Sequence, residues 1–428
     1  MHARPRARLF TLPIVSWALY DFANTIFSFA VITRYFNEWV IDERGRPDWN
    51  VGLMSFVVGL LLIVAMPAVG AISDVVGRRL PFLAVFTIGC VAATAAIGVM
   101  DGTTAALVVC GIAIFLYQLS LSMYDPLLAT VSPPGKQGAV SGIGVGTGYV
   151  GVLVGSTVLS AIVSPHHLQE AFLPTAVMFA VFAVPIFVFV RERGAVGGAV
   201  RERGVVGRAL RQVRSTVAHI RSDHRHVGRF LLARFLYVDS IATVIAYMTV
   251  YMSRLGGFSK ADKDHIIAVA IVFAAIGGFA SGALVQRVGP KRVLVGILLL
   301  TTGTLLVAAS TGSGALMWVL GPCVGVALGG VATSDRVLML HLTPPALRGE
   351  FFGIYNLVGK LSSGFGPLVL WGGTIWLLHE QGSSSLLAAS RVALAVLALA
   401  VVAGLLVLRP LSDANRYPDE EPASLETD

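Results

Sequence analysis

Long apolar runs, each about as long as a membrane is thick, recur along the whole 428-residue chain. A helix that crosses a bilayer core about 30 Å thick needs roughly 20 apolar residues. Hydrophobic residues make up 55% of the chain and charged residues only 13%, whereas about 25% of a soluble domain is charged. The sequence therefore predicts an all-α integral membrane protein, in which lipid rather than water surrounds most of the chain.

The apolar runs predict twelve transmembrane helices joined by short connections. The expected spans are 13–38, 51–72, 81–100, 105–127, 138–163, 170–190, 230–252, 265–286, 292–310, 315–338, 351–378 and 387–408. An even number of spans places both termini on one side of the membrane, and most of the Lys and Arg residues lie in the connections and tails of that side. Because basic residues favour the cytoplasmic face, we expect a cell (inner or plasma) membrane protein with both termini in the cytoplasm.

A basic segment divides the spans into two sets of six. We expect an N-terminal six-helix bundle at 1–190, a basic cytoplasmic linker at 191–229, a C-terminal six-helix bundle at 230–410 and an acidic disordered tail at 411–428. The linker is interpreted either as an amphipathic helix lying on anionic lipid or as a solvated connector that only fixes topology.

The two halves repeat one another. The segment GAISDVVGRR at 70–79 returns as GALVQRVGPKR at 282–292, and SPPGKQGAVSG at 132–142 returns as TPPALRGEFFG at 343–353. ALYD at 18–21 is echoed by FLYVD at 235–239. Three echoes in the same order indicate a duplicated six-span unit, with two pseudo-symmetric bundles related by an axis along the membrane normal.

These segments also carry a family resemblance. The segment 70–79 resembles the signature loop between spans 2 and 3 of the major facilitator superfamily. WALYDFAN at 17–24 and GEFFGIY at 349–355, followed by GKLSS and GP, resemble the vacuole-effluxer-like branch, which includes the autophagy-related amino-acid effluxers of fungi. The resemblance covers nearly all of 13–408. Two residues depart from the branch pattern, Asp335 where we expect Ser and Gln137 near where we expect a basic residue.

The resemblance implies a function as well as a fold. Spans 1, 4, 7 and 10 would line a central cavity, and spans 5, 8 and 11 would flank it. The substrate would be a small polar metabolite such as an amino acid, moved outward by alternating access and coupled to protons. The alternatives are an exporter of drug-like or lipid-like molecules and, in another class, a membrane sensor or assembly partner that transports nothing.

A conformational latch, or gate, is expected at the cytoplasmic side. Asp74 lies in a glycine-rich turn, where its carboxylate can accept hydrogen bonds from the positive end of a neighbouring helix. The family resemblance supports this role, and the alternative is a basic loop that only fixes topology. Asp125 and Asp335 are assigned to the gate rather than to the substrate, because both precede Pro-Pro turns. The expected gate residues are Gly70, Asp74, Gly77, Arg78, Arg79, Asp125, Asp335, Arg336, Gly349 and Glu350.

Ionisable residues within the spans form a second set of candidates. A charge at the centre of a membrane helix costs at least about 2.5–3.5 kcal/mol, so Asp21, Asp239 and Lys360 require an explanation. Our hypothesis is that Asp21 and Asp239 form a protonatable pair across the pseudo-two-fold axis, while Lys360 binds a substrate carboxylate or neutralises Asp239. The alternative is a static Asp–Lys pair that fixes packing. The further candidates are the hydrogen-bonding neighbours Tyr20 and Tyr237 and the polar residues Asn24 and Asn356.

Arg234 is interpreted differently, as a residue close enough to the membrane surface for its side chain to reach water. Tyr149 is expected to be a packing residue.

Two nucleotide-binding patterns can be rejected. Gly146–Gly151 fits G-x-G-x-x-G but lies inside an apolar span with no strand before it. Gly353–Lys360 has one residue too many between its glycines for a phosphate loop. We therefore expect no cofactor, no metal site, no enzymatic activity and no nucleic-acid partner. The expected partners are a small-molecule substrate, membrane lipid and protons, and the expected state is a monomer.

Overall fold

The computed structural model describes residues 9–46, 49–164, 167–192, 224–311, 313–382 and 384–412. All regular structure within these ranges is helical. Most of the expected linker at 191–229 and nearly all of the expected tail at 411–428 lie outside the described residues.

Twelve long helices follow one another within the described residues. They are α1 (Leu12–Phe27), α2 (Trp49–Val76), α3 (Leu80–Ile97), α4 (Thr103–Tyr124), α5 (Gln137–Ile162), α6 (Phe172–Phe189), α7 (Arg225–Leu255), α8 (Lys260–Val288), α9 (Pro290–Ser310), α10 (Gly314–Leu342), α11 (Arg348–Phe365) and α12 (Leu386–Leu408). Alternating π-helical and α-helical turns extend α1 to Glu43 and α11 to Glu380.

Eleven of these helices are long and apolar enough to cross a membrane. The twelfth, α11, is interrupted in composition, because Arg348, Glu350 and Lys360 occupy its first half and its apolar part is the shorter stretch Val369–His379. Aliphatic side chains such as Val85 and Ile88 are more than 60% exposed on the outer surface, as contact with lipid requires. The predicted all-α membrane fold with twelve spans is confirmed.

The helices form two bundles of six. In the first, α1 contacts α5 and α6, and α3 contacts α4 and α6. In the second, α7 contacts α11 and α12, α8 contacts α10, and α9 contacts α10 and α12. The bundles meet mainly through two helix pairs, α2 with α11 and α5 with α8, with further contacts of α10 with α5 and of α11 with α4.

Glycines bring the helices of the two bundles into backbone contact. A Cβ atom on Gly142 of α5 would lie 2.6 Å from the Cα of Gly282 in α8. In the other pair, a Cβ on Gly70 of α2 would overlap the carbonyl oxygen of Gly349 in α11. Such approaches are possible only between residues without side chains. Both glycine contacts lie towards the end of the molecule at which α2 ends and α11 begins. We call this the gate end. The two contacts hold the bundles together there.

Candidate functional site

Asp74 joins the two bundles at the gate end. Its Oδ1 accepts a hydrogen bond from the backbone N–H of Gly349 at 2.9 Å, and its Oδ2 accepts one from Glu350 at 2.9 Å. These N–H groups belong to the first turn of α11, where a helix has unsatisfied donors and a partial positive charge. Arg79 donates to Asp74 from Nη2 at 2.6 Å. The carboxylate therefore links α2 to the first turn of α11 and is itself held by the connection to α3.

The remaining residues of this turn support that arrangement. Gly77 adopts φ +71°, a left-handed conformation that glycine adopts without strain, and it reverses the chain towards α3. Arg78 is exposed. The repeated segment of the second half behaves differently, because Gln286 donates from Nε2 to the carbonyl oxygen of Gly135 at 2.7 Å. The two copies of the segment therefore join the bundles with different chemistry, one ionic and one neutral.

Replacing Asp74 with asparagine is expected to weaken closure of the gate end. A charge at a partly buried helix N-terminus contributes about 1–2 kcal/mol, so the closed state should lose roughly 5- to 30-fold in population relative to the open state. Spin labels on Thr130 and Arg287, exposed residues of the two bundles at this end, would report the change as a longer inter-label distance. Asp101→Asn, at an exposed acid of the opposite end, is the matched control. An unchanged distance distribution in Asp74→Asn would contradict the latch.

A cavity of about 290 Å³ lies between the bundles. Its volume is at the small end of the range for small-molecule sites. Residues of α4 and α5 line one side, and residues of α7, α10 and α11 line the other. Its polar lining consists of Asp125, Tyr149, Arg234, Asp335, Arg336, Tyr355 and Asn356, and its other lining residues are aliphatic.

Arg336 bridges the bundles at this cavity. From α10 of the second bundle, its Nε lies 3.0 Å from Asp125 Oδ1 and its Nη1 lies 3.5 Å from Asp21 Oδ2, both in the first bundle. The guanidinium also lies over the rings of Trp17 and Tyr124, 5.3 and 5.6 Å from their centroids, within the range of cation–π attraction. All four partners belong to the first bundle, so separating the bundles here would strip Arg336 of every one of them.

Asp125 receives a second partner across the same interface. Asn356 of α11 donates from Nδ2 to Asp125 Oδ2 at 2.9 Å. Asp125 and Arg336 are 4% and 9% exposed, so both charges depend on pairing in place of water. Asp125 and Arg336, which the sequence assigned to the gate alone, therefore join the bundles and also line the cavity. A role for either in gating stays a prediction.

Arg234 forms a second ion pair within the second bundle. Its Nε lies 3.1 Å from Asp335 Oδ2, and its guanidinium carbon lies 3.8 Å from the centroid of the Tyr355 ring. The side chain is 8% exposed, so the expectation that Arg234 extends to the membrane surface is wrong. The reason is that Asp335, one position before Arg336 on α10, supplies a countercharge in the interior. Tyr149, expected to be a packing residue, also lines the cavity.

The structure gives Asp21 and Asp239 separate partners. Asp21 contacts Arg336, whereas Asp239 Oδ1 accepts the backbone N–H of Gly366 at 2.6 Å, where α11 changes to π-helical turns. The proposed protonatable pair of Asp21 and Asp239 across the pseudo-two-fold axis stays a prediction. A role for either acid in proton movement stays a prediction.

The other expected site residues are placed around these acids. Tyr20 turns into the first bundle, where its hydroxyl lies 2.6 Å from Thr87 Oγ1, and Tyr237 is buried in the second bundle. Asn24 is 1% exposed, and neither amide atom has a hydrogen-bond partner among the described residues. Lys360 lies one turn along α11 from Asn356. Only Asn356 of this group lines the cavity.

Comparison with known proteins identifies the architecture. Residues 9–367 match the Major Facilitator Superfamily. The chain belongs to this superfamily. It is therefore a multi-pass membrane transporter of a small-molecule substrate rather than an enzyme, and the resemblance seen in the sequence is confirmed.

Individual members of the superfamily show how far the similarity extends. The chain is 27% identical over 390 residues to the uncharacterized MFS-type transporter YxiO of Bacillus subtilis (strain 168), covering 84% of this chain and 88% of that protein. It is 26% identical over 261 residues to autophagy-related protein 22-1 of Aspergillus niger, covering 54% of this chain and 42% of that protein. The human organic anion transporter MFSD10 (TETRAN) superposes with a TM-score of 0.72 at 16% identity, covering 95% of this chain and 100% of that one.

Proposed function

We propose that this member of the superfamily is a secondary active transporter that exports a small polar metabolite, an amino acid or a similar compound, by alternating access. The observation that carries the proposal is the Arg336 bridge, because it places paired charges of both bundles in the wall of one cavity. The contacts of α2 with α11 and of α5 with α8 hold the bundles together at the gate end. Rocking of the bundles would break these contacts and open the gate end.

The same bridge gives a reason for proton coupling. Five ionisable groups form the ion pairs at the cavity. Asp125, Asp335, Arg234 and Arg336 line it, and Asp21 contacts Arg336 from the first bundle. With every group ionised, three negative charges face two positive ones. An uncompensated charge away from water costs several kcal/mol, and one proton on a carboxyl group removes it.

Asp21 is the carboxyl group that we infer carries this proton. Its contact with Arg336 is 3.5 Å, longer than the 3.0 Å contact of Asp125 and the 3.1 Å contact between Asp335 and Arg234. A weaker ion pair loses less when its acid becomes neutral. Protonation of Asp21 would also loosen the bundle bridge, which ties proton binding to the rocking motion. Asp239, held by the N–H of Gly366, is the second candidate.

The cavity lining supports a substrate that is polar at one end. Two arginines, two acids and Asn356 lie beside aliphatic residues such as Ile241, Ile245 and Val331. The aliphatic side favours the second candidate function, export of a drug-like or lipid-like molecule. The charged side favours the first, because an apolar solute would leave the ionic groups without new partners.

We further propose cytoplasmic termini, a cell-membrane location and a monomer, on the distribution of basic residues and the completeness of the site in one chain.

Purified protein in liposomes would test this function. We expect radiolabelled amino acids from a panel to exchange across the membrane faster than in protein-free liposomes, and a pH gradient to drive their accumulation. Asp21→Asn should retain exchange but lose the response to the pH gradient, since a permanently neutral residue cannot carry the proton. Asp101→Asn is the control variant.

The outcomes separate the candidates. Loss of the pH response in Asp239→Asn instead of Asp21→Asn would assign the proton to Asp239. Movement of a lipophilic dye with no amino-acid flux would favour the drug-like or lipid-like exporter. If neither kind of solute moved, the proposed transport function would be rejected.

A further inference from the structure

The guanidinium group of Arg234 has donors that the protein leaves unused. Arginine carries five N–H donors, and Nε of Arg234 faces Asp335 at 3.1 Å. Nη1 and Nε are both buried and neither has a hydrogen-bond partner within the part of the chain that the structure describes, so the contact of Nε with Asp335 is an ion pair only. A buried donor without a partner costs about 1–3 kcal/mol, so such a group requires an explanation. Because Arg234 also lines the cavity, an acceptor on a bound solute would supply one.

The two arginines of the cavity differ in what they are free to do. Arg336 has two carboxylates and two aromatic faces as partners, all from the first bundle. A solute that bound Arg336 would have to displace its carboxylate partners and so break the contact between the bundles. Arg234 is paired with Asp335 inside one bundle, so it can bind a second carboxylate while the bundles stay in place.

Helix α11 fixes the orientation of the Arg234 guanidinium. Tyr355 places its ring against one face at 3.8 Å, and Gly359, one turn further along the helix, lies so close that a Cβ there would overlap Nη1. A planar guanidinium held in this way presents its donors in a fixed fork, which matches the two oxygens of a carboxylate. Glycine at position 359 is therefore a requirement for this placement.

Helix α7 continues the site beyond Arg234. Val238, Ile241, Ala242 and Ile245 follow Arg234 at helical spacing and line the same cavity, so they form one stripe on α7. Arg234 stands at one end of this stripe, and Ile241 lies about 10 Å along the axis from it at 1.5 Å per residue. A solute with a charged group at one end and an aliphatic body fits that stripe.

We propose that Arg234 is the specificity-determining residue of the cavity, binding the carboxylate of a small solute whose aliphatic body lies along α7. This inference rests on the proposed transport function. It assigns to Arg234 the carboxylate-binding role that the sequence suggested for Lys360.

Matched ligands separate the carboxylate from the aliphatic body. The transported probe is L-leucine, and L-leucinamide, in which an amide replaces the carboxylate, is its counterpart. The binding probes are 4-methylpentanoate and 4-methylpentanamide, which share one carbon skeleton and differ in the same way. We expect L-leucine and 4-methylpentanoate to raise the thermal unfolding midpoint of the wild-type protein and both amides to leave it unchanged. Hydrogen bonds to charged groups contribute about 1.5–3 kcal/mol, so Arg234→Gln should raise the KM for L-leucine about 10- to 150-fold.

Two further variants keep the test valid if an unpaired Asp335 prevents folding. Arg234→Gln combined with Asp335→Asn leaves a neutral pair, and Gly359→Ala displaces the guanidinium without changing any charge. Both should weaken 4-methylpentanoate binding, and Arg234→Lys should fall between wild type and Arg234→Gln because lysine lacks the fork. Arg34→Gln is the control, since Arg34 is exposed and paired with Glu38.

The results distinguish this inference from the transport function itself. If L-leucine moved with an unchanged KM in both the double variant and Gly359→Ala, the role of Arg234 would be rejected while transport stood. If wild-type protein bound the amides as tightly as the carboxylates, the carboxylate site would also be rejected. If 4-methylpentanoate bound through Arg234 but no amino acid or dye moved, the proposed function would fail and the binding site would stand.

Discussion

Replacing Arg336 with glutamine is expected to reduce solute flux to the level of protein-free liposomes. Arg336 is the shared partner of Asp21 and Asp125, at 3.5 and 3.0 Å, so the substitution leaves two buried carboxyl groups without a countercharge. Breaking a buried ion pair from one side costs about 3–5 kcal/mol. That cost falls on the state in which the bundles meet at the gate end, so the variant should be depleted of one of the two states that transport requires.

A charge exchange provides the critical comparison. Asp125 and Arg336 lie 211 positions apart, the same offset that relates the repeated Pro-Pro segments, so they are equivalent positions in the two halves. Exchanging them in the double variant Asp125→Arg with Arg336→Asp keeps an ion pair across the pseudo-two-fold axis. We expect this double variant to recover part of the flux that either single variant loses, and to restore the short distance between labels on Thr130 and Arg287.

Arg34→Gln is the matched control for Arg336→Gln, because it removes an exposed arginine that forms an ion pair within its own helix. Full flux in Arg336→Gln would reject the bridge. Equal loss in the single variants and in the charge exchange would show that the local geometry, rather than the pairing of opposite charges, is what transport needs.

The sequence predicted the features that follow from spacing along the chain, namely the membrane spans and the repeated segment. Apolar runs located the twelve spans, because their length follows from the thickness of a bilayer. The repeated segment at 70–79 located Asp74 next to a helix terminus, and the structure places it on the N–H groups of Gly349 and Glu350. In both cases the physical cause acts between residues that are near in sequence or related by the repeat.

The partners of the buried charges could not be predicted from the sequence, because they depend on how the helices pack in three dimensions. Depth in a span follows from counting residues, but the rotation of a helix and the docking of one bundle on another do not. Asp21 and Arg336 are separated by 315 positions in the chain, and their meeting depends on how both bundles assemble. Arg234 was misplaced for the same reason, since only the packing of α7 on α10 brings it to Asp335. The offset of 211 was the available signal that Asp125 faces Arg336.

The repeat also shows where the two halves have diverged. Trp17 and Tyr124 stack with ring centroids 4.8 Å apart in the contact of α1 with α4. The corresponding contact of α7 with α10 holds the ion pair of Arg234 with Asp335 instead. One half therefore presents an aromatic pair and the other an ionic pair at related positions, which gives the cavity a charged wall on the side of the second bundle.

Replacing Gly142 with leucine is expected to abolish closure of the gate end and to lower flux at least 100-fold. A Cβ at this position would lie 2.6 Å from Gly282 Cα and 2.7 Å from the carbonyl oxygen of Gly278. Both neighbours are backbone atoms, so no side-chain rotation relieves the overlap. Overpacking costs about 1–3 kcal/mol where side chains can still adjust, and here the whole helix pair must separate. Labels on Thr130 and Arg287 should therefore move apart.

Gly303→Leu is the control for this substitution, because Gly303 lies on the exposed surface of α9 with no heavy atom within 4 Å of an added Cβ. Gly142→Ala should have a smaller effect of the same sign. In the proposed alternating-access cycle, opening of the gate end separates Gly142 from Gly282, so the leucine variant should remain folded and keep most of its thermal stability while losing transport. A Gly142→Leu protein with normal flux and an unchanged label distance would mean that the close approach of α5 and α8 is not part of the transport cycle. Because the overlap is purely steric, its effect should not depend on pH or on a bound solute, which separates it from loss of the Arg336 bridge.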